Sequence, residues 1–245
     1  MYIGNLCLVT AVEHEFKTVA SLLNGNSISN KNEIGICRGY SGARRITVLK
    51  SGMGARGFAE RLADHLRLND YDALIVTGFA GGLNTSLKSG DTVIYDLCYC
   101  EINNPALSIA CDITLTKLIF DILQKSKPKS IHGAGITVSR VLTGAREKIA
   151  LGIQFNALAA DMESYPVIAV CAERQLPVAV LRIISDSADA DLPDFNTAID
   201  SDGRINNWKM AATILRTPLS SMRFFRNLSP ALSSFKECIK VVLNA

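Results

Sequence analysis

The sequence predicts an α/β fold in three layers, with helices on both faces of a central mixed, largely parallel sheet. Apolar runs alternate with amphipathic stretches along the chain, and short turns separate them. Several runs are apolar throughout, as expected for strands that are buried on both faces. With 245 residues, of which 48% are hydrophobic, the chain is long enough to form one domain with a sizeable core.

In the first half of the chain, strand-like runs and helical patterns alternate. The stretch EHEFKTVASLL places Phe16, Val19 and Leu23 on one face, which is the spacing of an amphipathic helix. A second helix is predicted from about Ala55 to Leu68. The predicted strands of this half are NLCLVTAV, RITVLK, DALIVTGFAGGL, which runs into a glycine turn, and GDTVIYDLCYC.

The second half repeats this alternation. Helices are predicted for Thr114 to Leu123, for AREKIAL and for SYPVIAVCAERQ. Strands are predicted for GAGITVSRVL, FNALAADM and PVAVLRII, the last of which is almost wholly apolar. The pattern indicates one domain, with residues 1–202 as its main unit and residues 203–245 as a basic helical C-terminal extension.

Charge is distributed unevenly between these two parts. Residues 203–245 contain seven basic residues and one acidic residue, a net charge of +6, whereas the whole chain has +3 and residues 1–202 therefore have −3. The overall charge does not by itself indicate a nucleic-acid partner. Because the extension mixes Trp208, Met222, Phe224 and Phe225 with its basic residues, it fits an amphipathic segment on an anionic membrane surface. Helices packed on the domain or on a second subunit are the commoner case, so we expect them rather than a membrane segment.

The seven cysteines lie mostly in apolar stretches, where a thiol behaves as a small hydrophobic group. We therefore expect free thiols in a reducing cytoplasm. The N-terminus has no secretory signal pattern, and no apolar run approaches the roughly 20 residues that span a bilayer. The expected location is cytoplasmic, with peripheral membrane contact as the alternative. His14, His65 and His132 show no metal-ligand spacing, so we expect no metal site.

Acidic residues and glycines follow four of the predicted strands. Ligands of such sheets bind outside the carboxyl ends of the strands, so these signals are expected to meet at one edge. Each also has a structural explanation: acids favour helix N-termini, glycines permit tight turns, and Ser or Asp caps helices. The signals are Glu13 and Glu15, the run TGFAGG, Asp161–Glu163, and Ser185 with Asp186, beyond which Asp189 and Asp191 follow.

The order of three motifs resembles the purine nucleoside phosphorylase and nucleosidase superfamily. The motifs are TGFAGGLNTSLKSGDTVIYD, AADMES and VAVLRIISDSAD, and the similarity runs from the first strand to about Asp191. Methylthioadenosine/S-adenosylhomocysteine nucleosidases look closest among the well-characterised branches. The resemblance implies a phosphorylase/hydrolase-like fold that cleaves the N-glycosidic bond of a purine nucleoside. It also implies a homo-oligomer and no cofactor, with phosphate as co-substrate if the enzyme is a phosphorylase.

The resemblance also implies roles for individual residues. Asp186 would protonate N7 of the purine, Ser185 would orient Asp186, and Arg182 would support the same wall. Glu15 would be the base that activates water. Met162 and Glu163 would line the ribose.

The residue types suit this chemistry without the resemblance. A departing purine needs a proton from an acid, and the sugar passes through a positively charged, oxocarbenium-like state that carboxylates stabilise. A buried position at a strand end would help Asp186 to stay protonated.

Two departures from the nucleosidases bear on the substrate. Phe79, with Ala80 and Gly81 in the glycine turn, replaces a small hydroxyl residue and should reshape the sugar pocket. The stretch VSRVLTGAREK lacks the aromatic residue that stacks on adenine. DMES, SDSADADLP and the basic tail look like hopanoid-associated phosphorylases, which implies removal of adenine from adenosylhopane.

Several alternatives remain open at this point. Gly54, in SGMG, with Arg56 and Arg140, could hold a phosphate nucleophile, whereas Glu15 favours water. The substrate could instead be methylthioadenosine or S-adenosylhomocysteine, or the enzyme could be a phosphate-dependent purine nucleoside phosphorylase. A protein of another class, which binds a nucleoside without turning it over, also fits.

Overall fold

The computed structural model describes residues 3–31, 34–54, 57–101, 107–125, 129–198 and 218–245. The helices are α1 (Glu13–Ala20), α2 (Phe58–Leu68), α3 (Ile113–Gln124), α4 (Ala145–Phe155), α5 (Ser164–Glu173) and α6 (Pro218–Asn244). The strands are β1 (Asn5–Thr10), β2 (Asn24–Lys31), β3 (Ile34–Ser41), β4 (Arg44–Lys50), β5 (Ala73–Gly82), β6 (Thr92–Cys100), β7 (Leu107–Ala110), β8 (Ser130–Thr137), β9 (Ala157–Asp161) and β10 (Val178–Asp186). A 3₁₀ turn covers Asn196–Ala198.

The ten strands form one mixed sheet, part of which closes on itself. β1 lies between β4 and β5 and is parallel to both. β5 is also parallel to β10 and antiparallel to β9. Since β10 pairs with β6, β6 with β8, and β8 with β9, these five strands form a closed ring. The ends of β5, β9 and β10 therefore meet at one place.

Helices cover both faces of the sheet, which confirms the predicted three-layer α/β fold. On one face α1, α3 and α6 bury apolar side chains such as Phe16, Ile119 and Phe235 against the strands. On the other face α2 and α5 do so, through Leu62 and Val167 among others. The strands between the two layers are buried on both sides, as β10 is along its whole length.

The β2–β3 hairpin has no counterpart in the predicted elements. The strand β2 is exposed along its whole length, and its sequence NGNSISNK shows no alternation of apolar residues. It pairs antiparallel with β3, which is itself half-buried against β4. An exposed edge strand of polar residues leaves no periodic signal, so the pattern could not reveal it.

The predicted glycine turn in TGFAGG is wrong, because these residues continue β5 as far as Gly82. Gly78 has φ +152°, and a Cβ there would lie 2.5 Å from Oε1 of Glu15. At Gly82 a Cβ would lie 3.0 Å from the carbonyl oxygen of Asp186. The glycines thus let two acidic segments approach the strand closely.

The C-terminal half of α6 packs into the core and is held at its end. Phe235, Cys238 and Ile239 are fully buried. The Ser41 hydroxyl donates to the carbonyl oxygen of Leu243 at 2.8 Å, which ties the helix end to β3. The predicted boundary between residues 202 and 203 lies outside the described residues.

All seven cysteines are buried and free of disulfides, as the sequence indicated. Within the described residues, no helix combines the length and the apolarity that crossing a membrane requires.

Candidate active site

A largely apolar cavity of about 590 Å³ opens where β1, β5, β9 and β10 end. Carboxylates from three different strand ends line it, namely Glu15, Glu163 and Asp186. These residues are far apart in the sequence. Glu15 and Asp186 come from β1 and β10, which are both parallel to β5 and direct their carboxyl ends to the same edge. Glu163 arrives from the opposite direction, because β9 pairs antiparallel with the last residues of β5. The structure thus brings together the acidic residues that the sequence singled out.

Asp186 reaches the cavity through an irregularity in β10. The register with β5 shifts between Ile184 and Asp186, so that Ser185 and Asp186 both line the cavity although they are consecutive. The Ser185 hydroxyl lies 2.7 Å from Oδ1 of Asp186 and 3.2 Å from the carbonyl oxygen of Ala80. Ser185 is therefore placed to orient the Asp186 carboxylate, which packs over Gly81.

Asp186 also pairs with a lysine that the sequence analysis missed. Lys148 Nζ lies 2.9 Å from Oδ2 of Asp186, and the lysine side chain is fully buried. We expected burial alone to prepare Asp186 as a proton donor, but the structure also places an ammonium group against its carboxyl group. A signal for Lys148 was available, because Leu151 and Gly152 place it on the buried face of α4.

Glu15 is held by backbone amides at the start of α1. Its Oε2 accepts hydrogen bonds from the amides of Ala11 at 2.8 Å and Val12 at 3.0 Å, and its Oε1 accepts one from Phe79 at 2.8 Å. The bond from Val12, the N-cap residue, also makes Glu15 a helix cap. Glu13 borders the cavity but is exposed, and its carboxylate pairs with Lys17 and Lys50.

Glu163 is fixed between a backbone amide and a buried arginine. Its Oε1 accepts a hydrogen bond from the Gly54 amide at 3.0 Å, and its Oε2 lies 3.2 Å from Nη2 of Arg182. Nε of Arg182 lies 3.3 Å from Oδ2 of Asp161, which is also buried. Arg182 therefore supports the wall of the cavity through two carboxylates.

Asp161 organises the turn that presents Glu163. Its Oδ1 accepts hydrogen bonds from the amides of Glu163 and Ser164 at 3.0 and 2.9 Å and from the Thr137 hydroxyl at 3.0 Å. The sequence placed Asp161 at the strand end but assigned it no role. These contacts hold the start of α5, and with it Glu163, against the cavity.

The buried carboxyl groups differ from exposed ones in their affinity for protons. Burial, with smaller contributions from Asp161 and Glu15, raises the pKa of Glu163 to about 7. Arg182 acts in the opposite direction. Burial also raises the pKa of Glu15, against the hydrogen bonds from Val12 and Phe79, which lower it. Both groups therefore change charge closer to neutral pH than an exposed glutamate does.

The walls between the carboxylates are apolar. Met162 lines the cavity beside Glu163, and a Cβ on Gly54 would lie 3.4 Å from its methyl group. The Phe79 ring also lines the cavity and packs on Phe235 of α6, with ring centroids 5.4 Å apart. Phe79 thus joins β5 to α6 and shapes the cavity where α6 borders it.

An aromatic ring from another segment also lines the cavity, although VSRVLTGAREK contains none. Phe195 comes from the segment after β10 and lines the same cavity as Val138 and Leu142. The Asn196 side chain accepts a hydrogen bond from the Val141 amide at 2.8 Å and donates one to the Val141 carbonyl at 3.0 Å. This pair of bonds fixes the segment that carries Phe195, a residue the sequence analysis missed.

The candidates for holding an anion are mostly engaged elsewhere. Gly54 donates its amide to Glu163, and Arg182 pairs with two carboxylates. Arg140 borders the cavity but pairs with Glu147. Arg56 lies outside the described residues.

The two acidic residues beyond Asp186 have structural roles. Asp189 is exposed and accepts a hydrogen bond from Ser187 at 2.5 Å, within a turn. Asp191 accepts one from the Ala145 amide at 2.8 Å and so caps α4. Of these three acids, only Asp186, the last residue of β10, lines the cavity. Among the described residues, His, Cys, Asp and Glu side chains form no cluster of three that could hold a metal ion.

Comparison with known proteins places this chain in a family. The family model described as "Phosphorylase superfamily" matches residues 5–217. The chain is similar to the 5′-methylthioadenosine/S-adenosylhomocysteine nucleosidase of Exiguobacterium sp., with 23% identity over 85% of this chain and 96% of the relative. It is also similar to the enzyme of that name from Haemophilus ducreyi, with 28% identity over 74% of this chain and 84% of the relative.

Solved structures have the same fold. One is the methylthioadenosine/S-adenosylhomocysteine nucleosidase of Neisseria meningitidis in complex with methylthio-immucillin-A, with a TM-score of 0.78, 18% identity and coverage of 98% of this chain and 99% of that chain. Another is the futalosine hydrolase of Helicobacter pylori, with a TM-score of 0.77, 17% identity and coverage of 98% and 97%.

Proposed function

This chain belongs to the phosphorylase superfamily, and from that premise we propose that it cleaves the N-glycosidic bond of an adenine nucleoside. One observation carries the proposal: Asp186, Glu163 and Glu15 line the same cavity of about 590 Å³. A nucleoside between them would have its base at Asp186 and its sugar at Glu163. The nucleosidases among its relatives act on substrates of this class by name.

Each wall of the cavity suits one part of the substrate. The Asp186 pair with Lys148 lies where a purine can take a proton as it leaves. The Phe195 ring offers a face on which the base can stack. Glu163 can accept hydrogen bonds from the sugar hydroxyls and stabilise positive charge on the sugar. Met162 packs beside the ribose.

We propose water as the nucleophile, with Glu15 as the base that takes its proton. Two of the three amides around Glu15 donate to Oε2 and one donates to Oε1, so Oε1 keeps a lone pair for a water molecule. Phosphate fits less well, because the described groups that could hold an anion already have carboxylate partners. No cofactor is required for this chemistry.

The experiment is to incubate the protein with adenosine, methylthioadenosine and S-adenosylhomocysteine and measure free adenine, with and without phosphate. Release of adenine and a reducing sugar without phosphate is the expected result. Strict dependence on phosphate, with a ribose 1-phosphate product, would make the enzyme a phosphorylase. Saturable binding without any product would favour a nucleoside-binding protein.

The pH dependence of kcat/KM should reveal the ionisation of Glu163 and Glu15. Both carboxyl groups act as anions in the proposed mechanism, and the pKa of Glu163 is about 7. We therefore expect kcat/KM to fall about fivefold between pH 7 and pH 6, as the ionised fraction of one such group does. Initial rates at subsaturating substrate from pH 5 to pH 9 test this.

The contribution of these two groups to the free energy of unfolding changes with pH in the opposite direction to kcat/KM. A carboxyl group whose pKa is raised on folding binds its proton more tightly in the folded chain. It therefore stabilises the fold most below pH 4.5 and less as the pH rises to about 7. Urea unfolding at pH 6 and pH 7 thus serves as a control. A flat rate profile across this range would contradict the role of both residues.

We propose further that the 5′ substituent of the nucleoside is long and apolar, as in adenosylhopane, which would connect the enzyme with hopanoid synthesis. The cavity continues from Phe79 to Leu228 and Leu232 on α6, and these side chains offer no polar group. A substituent that follows this wall would transfer apolar surface out of water. Each buried methylene contributes about 0.8 kcal/mol, or about fourfold in kcat/KM.

A series of 5′-alkylthioadenosines from methyl to octyl tests this proposal. We expect kcat/KM to rise with chain length by up to about fourfold per methylene. Leu228→Asp together with Leu232→Asp should remove the rise and leave the methyl compound nearly unaffected. Leu68→Asp, on the exposed end of α2, is the matched control. A preference for the methyl compound in the wild type would favour a methylthioadenosine nucleosidase instead.

We also propose that the basic extension contacts an anionic membrane surface, so that an apolar substrate can enter from the bilayer. Leu228 lines the cavity, and Met222 and Arg226 are exposed on the same helix. Co-sedimentation with phosphatidylglycerol vesicles should fall when Met222→Asp and Arg226→Glu are combined. Trp208 and the basic residues at 204, 209 and 216 lie outside the described residues.

A homo-oligomer is proposed from the family resemblance. Ile113 and Leu107 are large apolar side chains that are exposed on the described surface, which fits contact with another copy. Analytical ultracentrifugation gives the assembly state directly.

A further inference from the structure

Lys148 is a fully buried lysine whose charged end lies beside the proposed proton donor. Its Nζ donates to Oδ2 of Asp186 at 2.9 Å and to the carbonyl oxygen of Ser187 at 2.8 Å. Lysine is almost never fully buried without a partner, because desolvation of the ammonium group is costly. Both contacts lie at the end of β10, so both partners of the buried ammonium group belong to the strand end that carries Asp186.

The position of Lys148 follows from the geometry of α4. The helix begins at Ala145, whose amide is capped by Asp191, and Lys148 lies almost one turn later on the face that also buries Leu151. Arg146 and Glu147 lie outside this buried face. The helix thus places one ammonium group beside Asp186. Asp186 lines the cavity, and Lys148 is not among the lining residues.

One hydrogen bond joins Lys148 and Asp186, and a proton can pass along it between Nζ and Oδ2. The Ser185 hydroxyl satisfies the other oxygen, Oδ1. A carboxylate that accepts two such bonds is oriented, and the buried ammonium group is a proton source one hydrogen bond away from it.

We propose that Lys148 stores the proton that the departing base receives through Asp186. This inference rests on the function proposed above. As the C1′–N9 bond breaks, its electron pair stays with the base, and the proton passes from Nζ to Asp186 and from Asp186 to the base. Hydroxide from water joins C1′ and Glu15 takes the remaining proton. Lys148 is left as a neutral amine. After the products leave, Glu15 releases its proton to solvent, and solvent in the cavity returns a proton to Lys148 through Asp186.

Lys148 does not touch the substrate in this scheme and is a positioning residue that acts through Asp186. A purely structural lysine would hold α4 against β10 and would affect every substrate alike. A proton store affects only those substrates whose leaving group needs a proton. The two roles are therefore separable by the choice of leaving group.

The test compares two substrates with the same 5′ substituent in wild type and in Lys148→Met. One is the adenine nucleoside, and the other is the 4-nitrophenyl riboside, whose leaving group departs as a stable anion. We expect Lys148→Met to slow adenine release about 10²-fold, at the lower end of the contribution of positioned proton transfer. Release of 4-nitrophenolate should change less than about twofold. Arg146→Met, on the same helix but exposed, is the matched control.

A second variant covers the case in which Lys148→Met fails to fold because Asp186 is left as an unpaired buried charge. The double variant Lys148→Met with Asp186→Asn removes both charges. It should release adenine no more slowly than Asp186→Asn alone, because Lys148 acts only through Asp186. An additional 10²-fold loss in the double variant would overturn the inference. Equal slowing of both substrates by Lys148→Met would overturn it too.

These outcomes are distinct from a failure of the proposed function. A wild-type protein that releases neither adenine nor 4-nitrophenolate would overturn that function and this inference together. A wild type that releases adenine, with Lys148→Met equally active on it, would leave the function intact and remove only the proton store.

Discussion

Asp186→Asn is expected to slow adenine release by about 10²–10⁴-fold, because asparagine cannot pass a proton to the departing base. The amide has nearly the shape of the carboxylate and can still accept a hydrogen bond from Lys148. Substrate binding should therefore change much less than kcat. Single-turnover measurements of adenine release, with a separate measurement of Kd for a stable nucleoside analogue, distinguish the two effects.

Asp189→Asn is the matched control for this variant. Asp189 is exposed, lies three residues further along the chain and accepts a hydrogen bond only within its own turn. It should retain wild-type activity. If Asp186→Asn releases adenine as fast as the wild type, Asp186 is not the proton donor and the proposed mechanism fails.

Glu15→Gln should produce a loss of similar size, about 10²–10⁴-fold in hydrolysis, because the amide cannot take a proton from water. The substitution also disturbs a hydrogen-bonding site. Three backbone amides donate to the Glu15 carboxylate, whereas glutamine offers one acceptor oxygen. At least one buried amide then lacks a partner, at a cost of about 1–3 kcal/mol in folding free energy.

Glu13→Gln controls for this loss of stability and charge. Glu13 lies on the same turn of α1 and pairs with exposed lysines, so the variant should keep its activity. Thermal unfolding shows how much of the loss of activity in Glu15→Gln comes from loss of folded protein. If Glu15→Gln remains as active as the wild type but requires phosphate, then the nucleophile is phosphate and Glu15 is a helix cap only.

The sequence was informative where function depends on the ends of apolar strands. Glu15 and Asp186 lie at the ends of strands whose buried pattern is plain, and the direction of parallel strands implies that they meet. Glu163 was assigned to the same edge, but it reaches the cavity from β9, which is antiparallel to β5. The layered α/β fold followed from the same pattern. Roles for these residues remain predictions, since proximity to a cavity does not establish chemistry.

Other features depend on contacts that no local pattern encodes. The partnership of Lys148 with Asp186 joins positions 38 residues apart, and nothing in AREKIAL indicates which carboxylate lies opposite. Phe195 reaches the cavity only because Asn196 bonds to Val141. The exposed polar strand β2 has no periodic signal at all.

The closed ring of β5, β10, β6, β8 and β9 has a consequence for how the protein acquires its activity. β5 cannot meet β10 until about one hundred further residues have been synthesised, and the loop between them must be closed against its entropy. Secondary structure can form early and locally, but the catalytic pocket exists only when the last strand docks. A ribosome-bound chain that ends before β10 would therefore be compact in its N-terminal part and enzymatically silent.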